Sequence, residues 1–471
     1  MSSVGSKHPL EGVGELDAPS TGNTAANPSL RRNIAWGLVG NIIYTASQWA
    51  TLIVLAKLTS PLAVGQFALG LAITAPVVLL MNLRLRAAQA TDARGAYQFC
   101  DYLALRLTTV VLMLAGLVTA ALVAGYRRET TLVVIGIALA KCAESISDIF
   151  HGLFLRHERM ELVAKSNIAK SALSLAAFSA GVYLTREVAW GVAGLAAAWT
   201  AVLVGYDIPQ AFRLARQDPT KRLDLWPRWH GRLLLRLVRV TLPLGIAATL
   251  VALNTSLPRY FLEHFRGERA LGIYAALAYF VAGGMSVMAA LGDSAMPRLA
   301  NYHARGESAA YLRLLGKLLA VAAAIGTLGV IVTLLGGRLL LQVLYGAEYA
   351  AALVPFVWVM AAGLAMYIAS ILGDALLAAR RFREQLALLT CVALAMFGAC
   401  AVLIPQWGLI GAAFASLSAA AINVLGAAGL LLLEFARGRN PAGGAMHTPA
   451  HGPPRVRPKG LPSGVDNHSG T

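Results

Sequence analysis

The chain has 471 residues, of which 57% are hydrophobic and 13% charged, and its mean hydropathy of +0.63 excludes an ordinary soluble enzyme. A net charge of +17 would suggest nucleic acid as partner in a soluble protein, but the basic residues here follow the loops between apolar runs. A run of about 20 apolar residues crosses a bilayer core of about 30 Å. Twelve such runs are predicted, near residues 34–55, 62–82, 105–125, 130–154, 164–184, 188–209, 239–262, 271–292, 315–335, 352–378, 385–404 and 408–433. Gaps this short in lipid leave helices as the only way to satisfy the backbone, so the expected fold is an all-α polytopic membrane protein with twelve transmembrane helices.

Residues 1–32 are polar, rich in Gly, Ser, Pro and Asn, and without an apolar signal core. They are expected to form a disordered cytoplasmic tail, with the first segment directing insertion. That segment carries Asn41, Tyr44, Thr45, Gln48 and Trp49, and Asn41, Tyr44, Thr45 and Gln48 share one helical face. Such a stripe faces the bundle interior, either to bond other helices or to line a cavity. The second segment opens with Ala63-Val-Gly65-Gln-Phe67. The connector after it gathers Arg84, Arg86, Asp92, Arg94, Asp101 and Arg106, which suits ion pairs on a surface helix; Arg84 and Arg86 are also placed to attract a diphosphate head.

The fourth segment holds Lys141, Glu144, Asp148 and His151, whose spacings of three, four and three put all four on one stripe. An unpaired charge at mid-depth costs at least several kcal/mol, roughly, so intramembrane ionisable groups are functional candidates. Two readings stand: an internal Lys141–Glu144 salt bridge, or a cavity wall where Lys141 meets anionic substrate and Glu144 or Asp148 exchanges a coupling ion. The sixth segment opens with Trp190-Gly-Val-Ala-Gly194 and closes near Asp207. Between Arg213 and Arg239 lie eight Lys and Arg with Trp226, Trp229 and His230, the mixture expected of a connector at a membrane surface.

In the seventh segment, Pro243 opens the span, Pro258 follows Asn254, Thr255 and Ser256 and can bend the helix, and Arg259 either snorkels to the outer interface or faces substrate phosphate. The eighth opens with Ala270-Leu-Gly272-Ile-Tyr274 and ends near Asp293; Asp374 ends the tenth, and solvated or capping roles suit Asp207, Asp293 and Asp374. The outer loops are short except for about fifteen residues around Gly336–Ala350. The twelfth opens with Trp407-Gly-Leu-Ile-Gly411, and residues 436–471, rich in Gly, Pro and His, are expected to be a second disordered cytoplasmic tail.

The two Trp-Gly-x-x-Gly motifs, with the paired Gly65 and Gly272 motifs in the same order, indicate that six segments are duplicated head to tail. The expected domains are a first lobe over residues 33–212, a basic cytoplasmic connector over 213–238 and a second lobe over 239–435. With the amino terminus cytoplasmic, the opposite loops carry only Lys57, Arg127, Arg128, Arg186, Arg259, Arg266, Arg269 and Arg338 of the 40 Lys and Arg. That bias places both termini in the cytoplasm and reports contact with anionic lipid rather than nucleic acid. The lobes are then parallel repeats, a plan used by secondary transporters.

No Walker lysine loop, His-Glu-x-x-His or Gly-x-Ser-x-Gly occurs, and Gly292-Asp293-Ser294 lacks a partner histidine pattern. Cys100, Cys142, Cys391 and Cys400 have no metal or redox spacing, and no cofactor is expected.

The Gly65, Gly272 and Trp-Gly motifs, together with Leu242-Pro243-Leu244 and the run Asn82-Leu-Arg84-Leu-Arg86 to Arg106, resemble the polysaccharide-transport branch of the multidrug/oligosaccharidyl-lipid/polysaccharide exporter superfamily. The resemblance covers roughly residues 31–435. It implies a flippase in the bacterial inner membrane, moving undecaprenyl-diphosphate-linked oligosaccharides for lipopolysaccharide or exopolysaccharide synthesis by alternating access of two lobes. They would meet through segments one and two on one side and seven and eight on the other. Many relatives carry Asp-Arg where this chain has Pro258-Arg259, and the cations inside the spans are chiefly Lys141 and Lys170, the latter near a cytoplasmic end and able to snorkel. Expected substrate contacts are Lys141, Asn41, Gln48, Asn254, Arg259, Arg84 and Arg86, with Glu144 and Asp148 carrying a proton or sodium ion. Membrane lipid and the polysaccharide polymerase machinery are the other expected partners. The rival readings are a cation-coupled multidrug exporter, which would need a net negative cavity, and a membrane scaffold or enzyme without transport.

Overall fold

The computed structural model describes residues 30–91, 97–217 and 225–438, and all regular structure in them is helical. The two predicted tails up to residue 29 and from 439, the connector residues Asp92 and Arg94, and the centre of the basic connector lie outside the described residues. The first group comprises α1 (Leu30–Leu58), α2 (Pro61–Asn82), α3 (Leu85–Thr91), α4 (Phe99–Val123), α5 (Arg128–Arg156), α6 (Met160–Thr185), α7 (Val188–Val202) and α8 (Ile208–Gln217). A five-residue π-turn, Leu203–Asp207, joins the last two. The second group comprises α9 (Gly231–Ala304), α10 (Ser308–Leu344), α11 (Ala347–Ala350), α12 (Leu353–Ala378) and α13 (Phe382–Gly438).

Local chemistry sets the ends. Pro61 occupies the first turn of α2, where its missing N–H costs nothing. Leu83 and Arg84 close α2 in the left-handed conformation, at φ 50° and 52°. At α4 the Gln98 side chain and the N3 carboxylate of Asp101 form a reciprocal capping box, so Asp101 is structural. α9 and α13 are each broken once, by Gly267 (φ 80°) and Gly408 (φ 56°), positions that favour glycine. Gly408 belongs to the second Trp-Gly motif, so that motif makes the turn itself.

Nine helices among the described residues are long and apolar enough to cross a membrane. α5, outside those nine, is 29 residues long and carries Lys141, Glu144 and Asp148 through its length. Two expectations need correction. Pro243 does not open its helix, because α9 already begins at Gly231. The long outer loop around Gly336–Ala350 is not a loop, since α10 runs unbroken to Leu344 and α11 follows.

The groups meet chiefly along α2 and the two halves of α9. At the end away from Leu30 and Gly438, here the far end, a Cβ on Gly65 would overlap the Glu268 carbonyl and one on Gly272 the Pro61 carbonyl. The contact is reciprocal: each duplicated glycine admits the backbone that opens the other copy's helix. Thr130 donates to Glu268 Oε1 at 2.5 Å, and the Tyr260 hydroxyl to the Ala72 carbonyl at 2.5 Å. On the α1 side the groups touch through Trp49, edge-on to Phe280 at 5.4 Å and donating Nε1–H to the Tyr345 hydroxyl at 2.8 Å. Burial pushes the Tyr345 phenol well above its ordinary range, so it stays protonated. Before Trp49, α1 exposes Val39 and Ile42; beyond Phe280, α9 exposes Gly283, Ser286 and Val287. The groups thus join along α2 and α9 and touch on the α1 side at Trp49.

The Trp-Gly glycines work within the groups. Gly194 packs on the Ala177 backbone and Gly411 on Leu403, giving close helix contacts, as small residues do in lipid.

Candidate functional site

Ionisable side chains within the helices fall into three sets in the first group and, in the second, one chamber and the Arg381–Glu434 pair. The first set sits at mid-length of α5. Lys141 Nζ donates to Glu144 Oε2 at 2.7 Å, and the Tyr44 hydroxyl of α1 donates to Glu144 Oε1 at 2.6 Å. Lys141 also lies 5.1 Å from the centre of the Trp199 ring, a cation–π contact. The side chains keep 22% (Lys141) and 31% (Glu144) of their exposure, so the pair remains reachable. The internal salt bridge and the cavity wall are therefore compatible readings of one cluster. Asn41 and Gln48, on the same face of α1 as Tyr44, make no side-chain hydrogen bond among the described residues, Asn41 being exposed and Gln48 half-buried.

The second set holds Asp148 between two arginines. Arg86 NH1 donates to Oδ1 at 3.2 Å, and Arg106, fully buried, approaches Oδ2 at 3.6 Å while donating to Asn82 Oδ1. Asp148 is thus the counter-ion of Arg106. Arg84, expected beside Arg86, is exposed at the end of α2, where its left-handed backbone turns it away from this pair.

The third set was not anticipated. Asp207 was expected to be solvated or to cap a helix, and Lys170 to snorkel; both are buried. Asp207 accepts from Ser147, lies 3.4 Å from Lys170 Nζ and 3.6 Å from His151 Nε2, while Lys170 also donates to Ser147. His151 reaches Ser166 at 3.1 Å. Asp207 ends the π-turn, where the wider coil shifts the side-chain register, and π-turns concentrate at functional sites. Nothing in a 3.6-residue pattern announces such a turn; the one available signal was an acid inside a predicted span.

In the second group a cavity of about 640 Å³ opens among α9, α12 and α13. Both of that group's expected contacts, Asn254 and Arg259, line it, joined by Tyr274, Asp374, Gln385 and Asn423. Arg259 is half-buried, and its Nε is buried and unbonded among the described residues, as are Asn254 Oδ1 and Gln385 Oε1. Asp374 is not a solvated helix end but part of the chamber wall, close against Gly292. Asp293 is exposed, as expected. Helix register separates Arg259, eight residues before the break at Gly267, from Asp374, four before the end of α12, by roughly 15–20 Å along the axis.

The structure therefore brings together Lys141 with Glu144, Arg86 with Asp148, and Asn254 with Arg259, but places these pairs in separate sites. Among the described residues no group of three or more His, Cys, Asp or Glu is arranged to hold a metal ion.

A model of the family described as "Polysaccharide biosynthesis protein" matches residues 30–303. The capsular polysaccharide biosynthesis protein CapF of Staphylococcus aureus is 25% identical over 392 residues, which cover 81% of this chain and 94% of that protein. A MOP superfamily transporter from Pyrococcus furiosus Vc1, reported with a binding pocket of reverse polarity, superposes with a TM-score of 0.59 at 14% identity, covering 87% of this chain and 95% of its own. The lipid II flippase MurJ in an inward closed conformation gives a TM-score of 0.65 at 10% identity, covering 85% and 87%. These structural likenesses establish the fold.

Proposed function

The chain belongs to the polysaccharide biosynthesis protein family and has the MOP superfamily fold, and from that premise we propose that it carries undecaprenyl-diphosphate-linked oligosaccharide units across the bacterial inner membrane. It is a membrane transporter involved in polysaccharide biosynthesis and not an enzyme. The units would serve lipopolysaccharide or exopolysaccharide synthesis. The reading of twelve spans in two lobes of six, the first ending near residue 212 and the second beginning near 239, is supported by the breaks at Gly267 and Gly408 and by the length of α5. The excess of Arg and Lys on the termini side supports a cytoplasmic location for both termini.

The observation that carries the reading is the reachable Tyr44–Glu144–Lys141 cluster at mid-length of α5. Alternating access about a midplane site requires ionisable groups that a substrate can reach there. In this mechanism Lys141 meets the anionic head and exchanges it with Glu144, so that substrate and internal salt bridge compete for one ammonium. Asn41 and Gln48, free on the same face, meet sugar hydroxyls; Arg86 marks the cytoplasmic entrance. Coupling ions, protons or sodium, act on Glu144 and on the carboxylates behind it. Closure at Trp49–Tyr345 and at the paired glycines must break for release outside.

The multidrug alternative would need a net negative cavity, whereas the chamber wall carries one cation, Arg259, and one acid, Asp374. The test is deletion of the protein. Lipid-linked glycan is expected to accumulate on the cytoplasmic leaflet, and Lys141→Ala to leave that accumulation uncorrected. Loss of dye export with no accumulated glycan would overturn the reading.

A further inference from the structure

Every other cation enclosed among these helices has an acid beside it: Lys141 has Glu144, Arg106 has Asp148, Lys170 has Asp207 and Arg381 has Glu434. Arg259 has none among the described residues, and its Nε finds no acceptor. Arg259 is half-buried beside an open space, with its Nε buried and no acid facing it among the described residues, a placement that suits an anion. The protein has not filled the space around it either. About 640 Å³ stands open, within the 300–1,000 Å³ or so typical of small-molecule sites. Two amide oxygens, Asn254 Oδ1 and Gln385 Oε1, are likewise buried and unbonded in the same wall. Three polar groups with no protein partner around one space offer bonds to a ligand that enters it.

The walls say what kind. Met285, Met366, Met396, Val281, Leu388 and Val392 supply an adaptable apolar lining, and the only acid on the wall, Asp374, sits far from Arg259 along the axis. A site with a fork-shaped cation at its deep end and a flexible apolar body fits an anionic group on a hydrocarbon chain. Arginine matches the oxygens of a phosphate in two parallel bonds, which a free ammonium does not.

We propose that the chamber of the second lobe is a separate binding site for the phosphorylated end of a lipid, with Arg259 gripping the phosphate, Asn254 and Asn423 bonding polar neighbours of that group, and the methionine wall holding the first part of the chain. The lobes then divide the substrate: carrier end in the second, glycan on the Lys141 face of the first. The choice of a prenyl carrier over other phosphorylated lipids rests on the transport reading above.

Full-length protein in phosphatidylcholine nanodiscs, probed by thermal protection with farnesyl diphosphate, inorganic diphosphate and farnesol, tests this. Farnesyl diphosphate should bind at least tenfold more tightly than either fragment. Arg259→Gln should weaken it at least tenfold, Arg259→Lys should recover part, and Arg338→Gln, an exposed control, should change nothing. Unliganded Arg259→Gln should melt no lower than the parent, so lost binding is not lost folding. Equal binding by Arg259→Gln and the parent, or inorganic diphosphate binding as tightly as farnesyl diphosphate, overturns the site. Displacement of farnesyl diphosphate by equimolar phosphatidylglycerol overturns the carrier assignment. If the binding pattern holds while deletion accumulates no lipid-linked glycan, the chamber stands and the flippase reading fails; if glycan accumulates while Arg259→Gln binds normally, the reverse is true.

Discussion

The two helix groups share the glycine motif of Gly65 and Gly272, yet only the second encloses a cation with no acid beside it among the described residues. In the first, cations and acids inside the membrane are paired with each other: Lys141 with Glu144, Arg106 with Asp148, Lys170 with Asp207. In the second, Arg259 stands in an open chamber without a counter-ion. A paired set stores its charges for internal exchange, as ion coupling requires. An unpaired charge is a standing demand for something from outside, and a protein keeps it only where that demand is used.

The contrast predicts opposite stability effects for similar substitutions. Lys170→Met leaves Asp207 buried without its cation and should cost about 3–5 kcal/mol in thermal unfolding. Lys170→Met combined with Asp207→Leu should recover much of that loss, because an ion pair replaced whole by apolar groups is often neutral. Arg259→Gln should instead leave stability unchanged or raised. If Arg259→Gln destabilises as much as Lys170→Met, the chamber arginine is structural and the comparison fails.

Where the groups meet, Gly65→Leu should cost about 1–3 kcal/mol by overpacking against the Glu268 backbone. Gly272→Leu should match it, since the contact is reciprocal. Unequal costs would show that only one of the two seats is tight. Tyr44→Phe removes a hydrogen bond to an ionised carboxylate, worth about 1.5–3 kcal/mol, and should slow transport more than it lowers the melting point if the cluster is functional. The smallest effect is expected at the outer seam. Trp49→Phe keeps the ring contact with Phe280 but loses the bond to Tyr345, about 0.5–1.5 kcal/mol, and should speed maleimide labelling of a cysteine placed at Thr59.

Much of this was legible in the sequence, and what was missed has physical causes. The spacing of Lys141, Glu144, Asp148 and His151 announced one face of α5, because helical periodicity is local. It could not announce that Asp148 would answer Arg106, a partner from another helix. Asp207 and Lys170 were read as interfacial because depth was judged from distance to the helix end; the π-turn and the packing of α5 and α6 bury them instead. The surroundings of Arg259 were illegible for the same reason, since the chamber exists only where helices distant in sequence fail to fill the space between them. Gly65 and Gly272 announce a repeat in the sequence, whereas their mutual contact across the groups appears only in three dimensions.

The central claim is that this chain moves lipid-linked oligosaccharide between leaflets. The most direct measurement uses purified protein in liposomes carrying such a lipid in both leaflets, with an impermeant glycosidase outside. The account predicts that the wild-type protein exposes the inner half to the enzyme, and that Lys141→Ala slows this at least tenfold. Glycan that stays half protected in the presence of active-folded protein, under either a proton or a sodium gradient, would contradict it.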